Sequence, residues 1–369
     1  MAILDRHREA LARLERESRM RRLIPRQGKD FASNDYLGLA SSGALRAAVR
    51  DALDRDVAIG AGGSRLLRGN DPEHEALEAE AAAFFGSEDA LFFANGFAAN
   101  STLFAALPSR HDLIVHDALI HASVHDGMRL SFAEKRSAAH NDAQAFEDAI
   151  TGWRAKGGKG QVWIAVESLY SMDGDQAPII ALAEIANRHE AFLVIDEAHA
   201  AGVFGPEGRG LSAELAMRDN VIRLITCGKA LGCEGALLLA PRILCEMLVN
   251  TGRGFIFSTA PSPLMAAALR ASLELIRAPE RRRQLHDLIA RAKDDIAVDS
   301  GSQILPFILG EDAETMRVAA ALQQVGFDVR GIRPPTVPQG TSRLRISLTL
   351  NVDETDIAAL GEQLRRLRP

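Results

Sequence analysis

An α/β fold is predicted from three features of the sequence: a large domain built on a mostly parallel sheet, followed by a smaller C-terminal α+β domain. Short apolar runs recur between residues 89 and 240, they are apolar at consecutive rather than alternate positions, and stretches of helical period separate them. Strands covered on both faces read as unbroken Val, Ile, Leu and Phe, whereas one-sided strands alternate with polar residues. Strand and helix in alternation imply right-handed crossovers joining parallel neighbours.

Met1 to Arg22 is Arg-rich, with Leu4, Leu11 and Leu14 on one stripe. Asp5, Glu9, Glu15 and Glu17 interrupt its basic face, and it lacks an apolar core, so it reads as neither a transit peptide nor a secretory signal. An amphipathic arm packed on the body or on a partner subunit is expected. Strands are expected at Ala90–Ala94, Asp112–His116, Val162–Val166, Phe192–Ile195, Val221–Ile225 and Gly235–Leu239. Helices are expected at Ala98–Ala106, Asp142–Ala155, Ile179–Arg188 and Leu211–Met217. A break with two prolines lies near Ser258–Pro263. Beyond it come helices at Leu264–Ile276 and Gln284–Ile296, then the run Gln303–Leu309 and a helix at Ala313–Val325. The segments Val329–Pro334 and Leu344–Leu348 and a last helix from Glu354 complete the chain. The expected division is therefore an arm at 1–40, a large domain at 41–260 and a small one at 261–369.

The 369 residues are 47% hydrophobic and 25% charged, as in ordinary soluble domains. No apolar stretch approaches the roughly 20 residues of a spanning helix. A net charge of −6 disfavours nucleic acid and anionic membrane as partners. Three cysteines without C-x-x-C spacing fit a reducing compartment, so a cytoplasmic location is expected.

In parallel sheets ligands sit beyond the carboxyl ends of the strands. There the sequence places Asp196, directly after Phe192-Leu-Val-Ile, with His199 three residues on. A carboxylate at the end of a buried run is costly unless a cation meets it. An isolated Asp there would most simply cap the next turn. A cation does follow the neighbouring strand: Lys229, after Thr226-Cys-Gly, in mostly small and apolar surroundings. Desolvation lowers a lysine pKa and makes the amine a Schiff-base nucleophile. Amine and buried acid together match what pyridoxal phosphate requires, a hold on its aldehyde and a partner that keeps its ring nitrogen protonated. The strand, glycine and helix start at Asn95-Gly96-Phe97 suit the phosphate, with Thr226, Ser258 and Thr259 as hydroxyl donors.

Rival motifs are weaker. Asp196-Glu-Ala-His199 also occurs in helicase ATPases, but the chain has no G-x-x-x-x-G-K-[ST] loop. Gly60-Ala-Gly62-Gly-Ser-Arg65 breaks the dinucleotide pattern at Arg65, and no G-x-S-x-G elbow exists. His116, His121 and His125 lack a firm third ligand for a metal, and none is expected.

The chain resembles the α-oxoamine synthases, pyridoxal phosphate enzymes of the aspartate-aminotransferase fold (fold type I). The resemblance covers nearly the whole chain from about Phe31. It rests on Ser33-Asn34-Asp-Tyr-Leu-Gly-Leu39, Gly62-Gly-Ser-Arg65, His74-Glu-Ala-Leu-Glu78, Asn95–Asn100, His121-Ala-Ser and His140-Asn-Asp142. Ser171-Met-Asp-Gly-Asp175, Asp196–His199, Gly228-Lys229 and Arg343-Leu-Arg345 extend it. The resemblance implies that Lys229 holds the cofactor and moves the α-proton of the amino acid. It implies that Asp196 pairs with the ring nitrogen, His199 with the ring hydroxyl, and that His121 stacks on the ring. Gly96, Phe97 and Thr226 would hold the phosphate, helped by Ser258 and Thr259 from a second subunit of a homodimer. Asn34 and Arg345 would grip the substrate carboxylate, with Ser171 and Glu167 lining the site. The implied reaction is a decarboxylative condensation of an amino acid with an acyl thioester. Ile332-Arg-Pro-Pro-Thr-Val-Pro338 and Ser171–Pro178 look most like the biotin-pathway branch, which uses L-alanine and a pimeloyl thioester carried on coenzyme A or an acyl carrier protein. Asn95, Ala200, Ala230, Cys233 and Glu234 depart from the usual pattern; Glu234, if turned inward, would raise the Lys229 pKa.

Overall fold

The computed structural model describes residues 3–367. The chain divides into two compact units. The larger comprises Leu37–Ser171 and Gln176–Arg282, the smaller residues 3–36, 172–175 and 283–367.

A seven-stranded sheet organises the larger unit. Its spatial order is Asp89–Phe93, Ala236–Ala240, Val221–Thr226, Phe192–Asp196, Val162–Glu167, Leu113–Asp117, Glu134–Ala138. Only Ala236–Ala240 runs antiparallel to its neighbours, so the sheet is mixed but mostly parallel. Successive strand residues feed two separate cores, which is why the runs are apolar without alternation. Leu113, Val115, Ile164, Leu193 and Ile195 face one core, while Ile114, Trp163, Ala165 and Val194 face the other. Register then aligns the strand ends, with Glu167 opposite Asp196 and Asp196 opposite Leu224.

Differences from the expected elements have local causes. Glu134–Ala138 is a strand although it begins Glu-Lys-Arg, because it lies at the sheet edge where charged side chains reach water. Helix Pro72–Phe85 starts at a capping box in which the side chains of Asp71 and His74 each accept the other end's backbone N–H. Gly43–Asp54, Ala122–Leu130 and Arg242–Thr251 are further helices beyond those expected. The expected helix at Leu211–Met217 is instead a single 3-10 turn, Ala213–Leu215. Its leading N–H groups, those of Leu211 and Ser212, donate to the buried Glu197 carboxylate at 3.1 and 2.6 Å. Helix Pro263–Arg277 belongs to the larger unit, where Ala266, Ala267 and Ala268 are buried and it packs on helices Gly43–Asp54 and Pro72–Phe85. The expected division at 260 therefore falls instead within the first turn of helix Pro279–Ile296.

In the smaller unit, an antiparallel sheet of order Arg330–Ile332, Ser342–Ser347, Ile304–Gly310 packs against helix Asp312–Gln324. The N-terminal segment joins this unit through a short parallel pairing of Lys29–Asp30 with Phe327–Asp328. Helix Asp5–Arg16 forms as expected but buries none of its residues. No described helix is long and apolar enough to cross a membrane.

Candidate active site

The aligned strand ends open onto a pocket in the larger unit. Strands contribute Glu167, Asp196 and Thr226, and the turns after them contribute Ala198, His199 and Lys229. Helix Gly96–Ala106 supplies Gly96, Phe97 and Asn100, and the start of helix Ala122–Leu130 supplies His121 and Ser123. Lys229, His121, Asp196, His199, Gly96, Phe97 and Thr226 are thus brought together, as the sequence predicts.

Asp196 is buried and both its oxygens are held. Oδ1 accepts the Ala198 N–H at 2.9 Å, the turn cap expected of an Asp at a strand end. Oδ2 accepts Asn100 Nδ2 at 2.8 Å. Glu167 lies beside it, 3% exposed, with Oε2 accepting the Ser171 N–H at 3.3 Å and Oε1 without a hydrogen-bond partner among the described residues. Burial, then the neighbouring Asp196 charge, pushes its pKa well above the ordinary carboxylate range, with Lys229 opposing. His121 caps its helix, its Nδ1 accepting the Ser123 N–H. Desolvation holds its pKa below the usual imidazole value, assisted by Lys229 and opposed by Asp196.

Helix Gly96–Ala106 presents its N-terminus to the pocket. Asn95 caps it, accepting the Ala98 N–H at 2.8 Å, which accounts for a polar residue at this position. The amides of Gly96 and Phe97 remain at the tip, where helix N–H groups lack intrahelical partners. A Cβ on Gly96 would lie 2.8 Å from Thr226 Oγ1, so glycine keeps this hydroxyl close to the helix end.

Lys229 is half-buried in a turn closed by Gly232 N–H to Lys229 O at 2.8 Å and Cys233 N–H to Cys227 O at 3.0 Å. Ala230 packs on Gly202, where an added Cβ would come within 2.7 Å, so both positions require small residues. Glu234 is exposed rather than turned inward. Ala200 is fully buried in the turn after His199. Glu197, between the two site residues of its motif, plays a different part. Its buried carboxylate accepts Ser168 Oγ at 2.7 Å, both N–H groups of the 211–212 turn and the Ser212 hydroxyl.

Other predicted residues stand elsewhere. Ser258 and Thr259 are exposed and line a separate small recess with Arg65, Phe93 and Phe255. Ser171 touches the site through its amide to Glu167. In the smaller unit, Arg345 donates to Asn34 Oδ1 at 3.0 Å, Ser347 Oγ at 2.7 Å and the Tyr36 hydroxyl at 3.4 Å. His116 and His125 make an edge contact, with ring centroids 5.0 Å apart. No group of three or more His, Cys, Asp or Glu among the described residues is arranged to hold a metal. Asn100 and Ser123 were legible only as parts of motifs; the signal for Asn100 is an amide inside the otherwise small and apolar start of a helix.

Residues 27–362 match the family model for aminotransferase class I and II, and the chain belongs to that family. Within it, relatives of this chain include 8-amino-7-oxononanoate synthases, members of the α-oxoamine synthases. The synthase of Anaeromyxobacter dehalogenans is 43% identical over 92% of this chain and 87% of its own length. That of Chromobacterium violaceum is 41% identical over 91% of this chain and 88% of its own. A solved 8-amino-7-oxononanoate synthase from Francisella tularensis is 28% identical with a TM-score of 0.77, covering 92% of this chain and 97% of that one. Serine palmitoyltransferase from Sphingomonas wittichii shares the fold, with a TM-score of 0.89 at 24% identity over 100% and 98% of the two chains.

Proposed function

We propose that this protein condenses L-alanine with a pimeloyl thioester, releasing carbon dioxide and the thiol carrier to give 8-amino-7-oxononanoate in biotin synthesis. The observation that carries this is one pocket joining Lys229, the buried Asp196 and a helix N-terminus, in a chain whose 41–43% identical relatives bear that name.

These residues fit pyridoxal phosphate: an amine, a twice-anchored buried acid, and an anion cradle that a Cβ at Gly96 would fill. When bound, the cofactor supplies an aldehyde that joins amines and a ring that accepts the electron pair left at the α-carbon. Lys229 Nζ would hold the aldehyde, and it is the base placed to take the α-proton of alanine. Asp196 would keep the ring nitrogen protonated; its two donors, Asn100 and the Ala198 amide, fix where its charge points. His199 would hold the ring hydroxyl, and His121 would lie against the ring. The Gly96 and Phe97 amides and Thr226 Oγ1 would hold the phosphate, with Ser258 and Thr259 contributed by the partner in a homodimer. Asn34 and Arg345, already joined to each other, bind the alanine carboxylate; a guanidinium suits a planar bidentate partner. The acyl donor is carried on coenzyme A or an acyl carrier protein, and the enzyme works in the cytoplasm.

Thiol release from pairs of amino acid and thioester tests the proposal. L-alanine with pimeloyl-CoA should exceed glycine with acetyl- or succinyl-CoA by kcat/KM. Preference for glycine with a short acyl group would overturn the substrate assignment.

A further inference from the structure

One element of the pocket is a hydrogen-bond chain with a fixed direction. The Ser123 backbone N–H lies 3.3 Å from His121 Nδ1. A backbone amide can only donate, so Nδ1 carries a lone pair and the neutral ring keeps its proton on Nε2. Ser123 Oγ, 2.8 Å from the same Nδ1, must then donate as well. Its own lone pair is free to accept, and Asn100 Nδ2 supplies a hydrogen at 3.0 Å. The other hydrogen of that amide goes to Asp196 Oδ2 at 2.8 Å.

Asn100 is 2% exposed, and Ser123 is fully buried. A buried Asn that only satisfied itself would most often bond to backbone, as most side-chain hydrogen bonds do. Both amide hydrogens of Asn100 instead go to side chains lining this pocket.

We propose that Asn100 is a positioning residue which, acting directly on Asp196 and through the Ser123 hydroxyl on His121, sets the orientation of the carboxylate and the hydrogen-bonding of the imidazole that meet the cofactor. This rests on the cofactor roles given above for Asp196 and His121. Protonating His121 at Nδ1 would break its bonds from Ser123, so the chain holds the ring neutral. The charged groups that face it act in the same pocket: Lys229 disfavours the imidazolium and Asp196 favours it, while His125 lies one helical turn on.

The test uses the full chain labelled with 15N-histidine, with and without pyridoxal phosphate, the His121 signal being assigned by its loss in His121→Gln. In the unsubstituted protein His121 should be the Nε2–H tautomer and should titrate below the ordinary imidazole range. Asn100→Ala removes a hydrogen bond to a charged group, so it should weaken pyridoxal phosphate binding by roughly tenfold or more. It should also release Ser123 Oγ from its fixed direction and move the His121 titration toward the ordinary value, while the Ser123 backbone N–H keeps the tautomer. Ser123→Ala should alter His121 in the same way with a smaller loss of cofactor affinity. A folded Asn100→Ala with unchanged His121 titration and unchanged affinity would overturn the proposal. Should that variant not fold, Ser123→Ala decides alone, and an unchanged His121 in it would overturn the proposal equally. Failure of the cofactor assignment itself shows separately, as no binding of pyridoxal phosphate to the unsubstituted chain, while the His121 tautomer is still read in the cofactor-free protein.

Discussion

Replacing Gly96 by alanine would put a methyl group 2.8 Å from Thr226 Oγ1, closer than such atoms approach without a shift. Two effects of the added methyl oppose each other. Alanine is the better helix former by up to about 1 kcal/mol, so the cofactor-free protein should lose little stability. The hydroxyl, however, must move from the helix tip, and overpacking of this kind costs about 1–3 kcal/mol. If Thr226 Oγ1 and the helix N-terminus together hold the phosphate, that cost falls on binding, as a roughly ten- to hundredfold rise in the dissociation constant of pyridoxal phosphate. Fluorescence quenching or equilibrium dialysis measures it, with the melting temperature of the cofactor-free protein recorded in parallel. Thr226→Ala removes the clash, so the double variant should be no weaker than Thr226→Ala alone. Unchanged affinity in Gly96→Ala would refute the assignment of this corner to the phosphate.

Glu167→Gln should change the pH dependence of stability. The Glu167 pKa is raised by burial and by Asp196, so its stabilising contribution is present below the unfolded carboxylate value and is lost as pH rises through the folded one. The Gln variant should therefore gain stability relative to the parent with increasing pH in thermal melts; parallel curves would contradict a protonated Glu167. Glu197→Ala leaves the Ser168 hydroxyl, two backbone N–H groups and the Ser212 hydroxyl without their acceptor, and should cost at least about 3 kcal/mol in denaturant unfolding. A loss under about 1 kcal/mol would show that this turn does not depend on the carboxylate. Arg345→Lys cannot reproduce the fork to Asn34, Ser347 and Tyr36, and should raise KM for alanine at least tenfold while moving KM for the thioester less. Equal effects on both would deny Arg345 the amino-acid carboxylate.

The parallel core of the fold was legible because burial on both faces leaves its mark in single strands: Leu113, Ile114 and Val115 are apolar in succession since each successive residue meets a different core. Asp196 and Lys229 were legible for the same reason, as charges at and just beyond the ends of such runs. Elements decided by a side chain far away in sequence were not. The helical period at Leu211–Met217 gives way to Glu197, fifteen residues from Ser212, and the edge strand at Glu134–Ala138 has no hydrophobic pattern to read. The role of Asn100 depends on Asp196, 96 residues on, which no local pattern encodes. Helix Pro263–Arg277 begins at the second of two prolines that looked like a boundary, yet its small buried face ties it to the larger unit.

The most direct test of the central claim is to load the protein with pyridoxal phosphate, reduce it with borohydride, digest it and map the label. A single pyridoxyl group on the peptide containing Lys229 is the predicted result. Label on another lysine, or none at all, would contradict the assignment of this pocket.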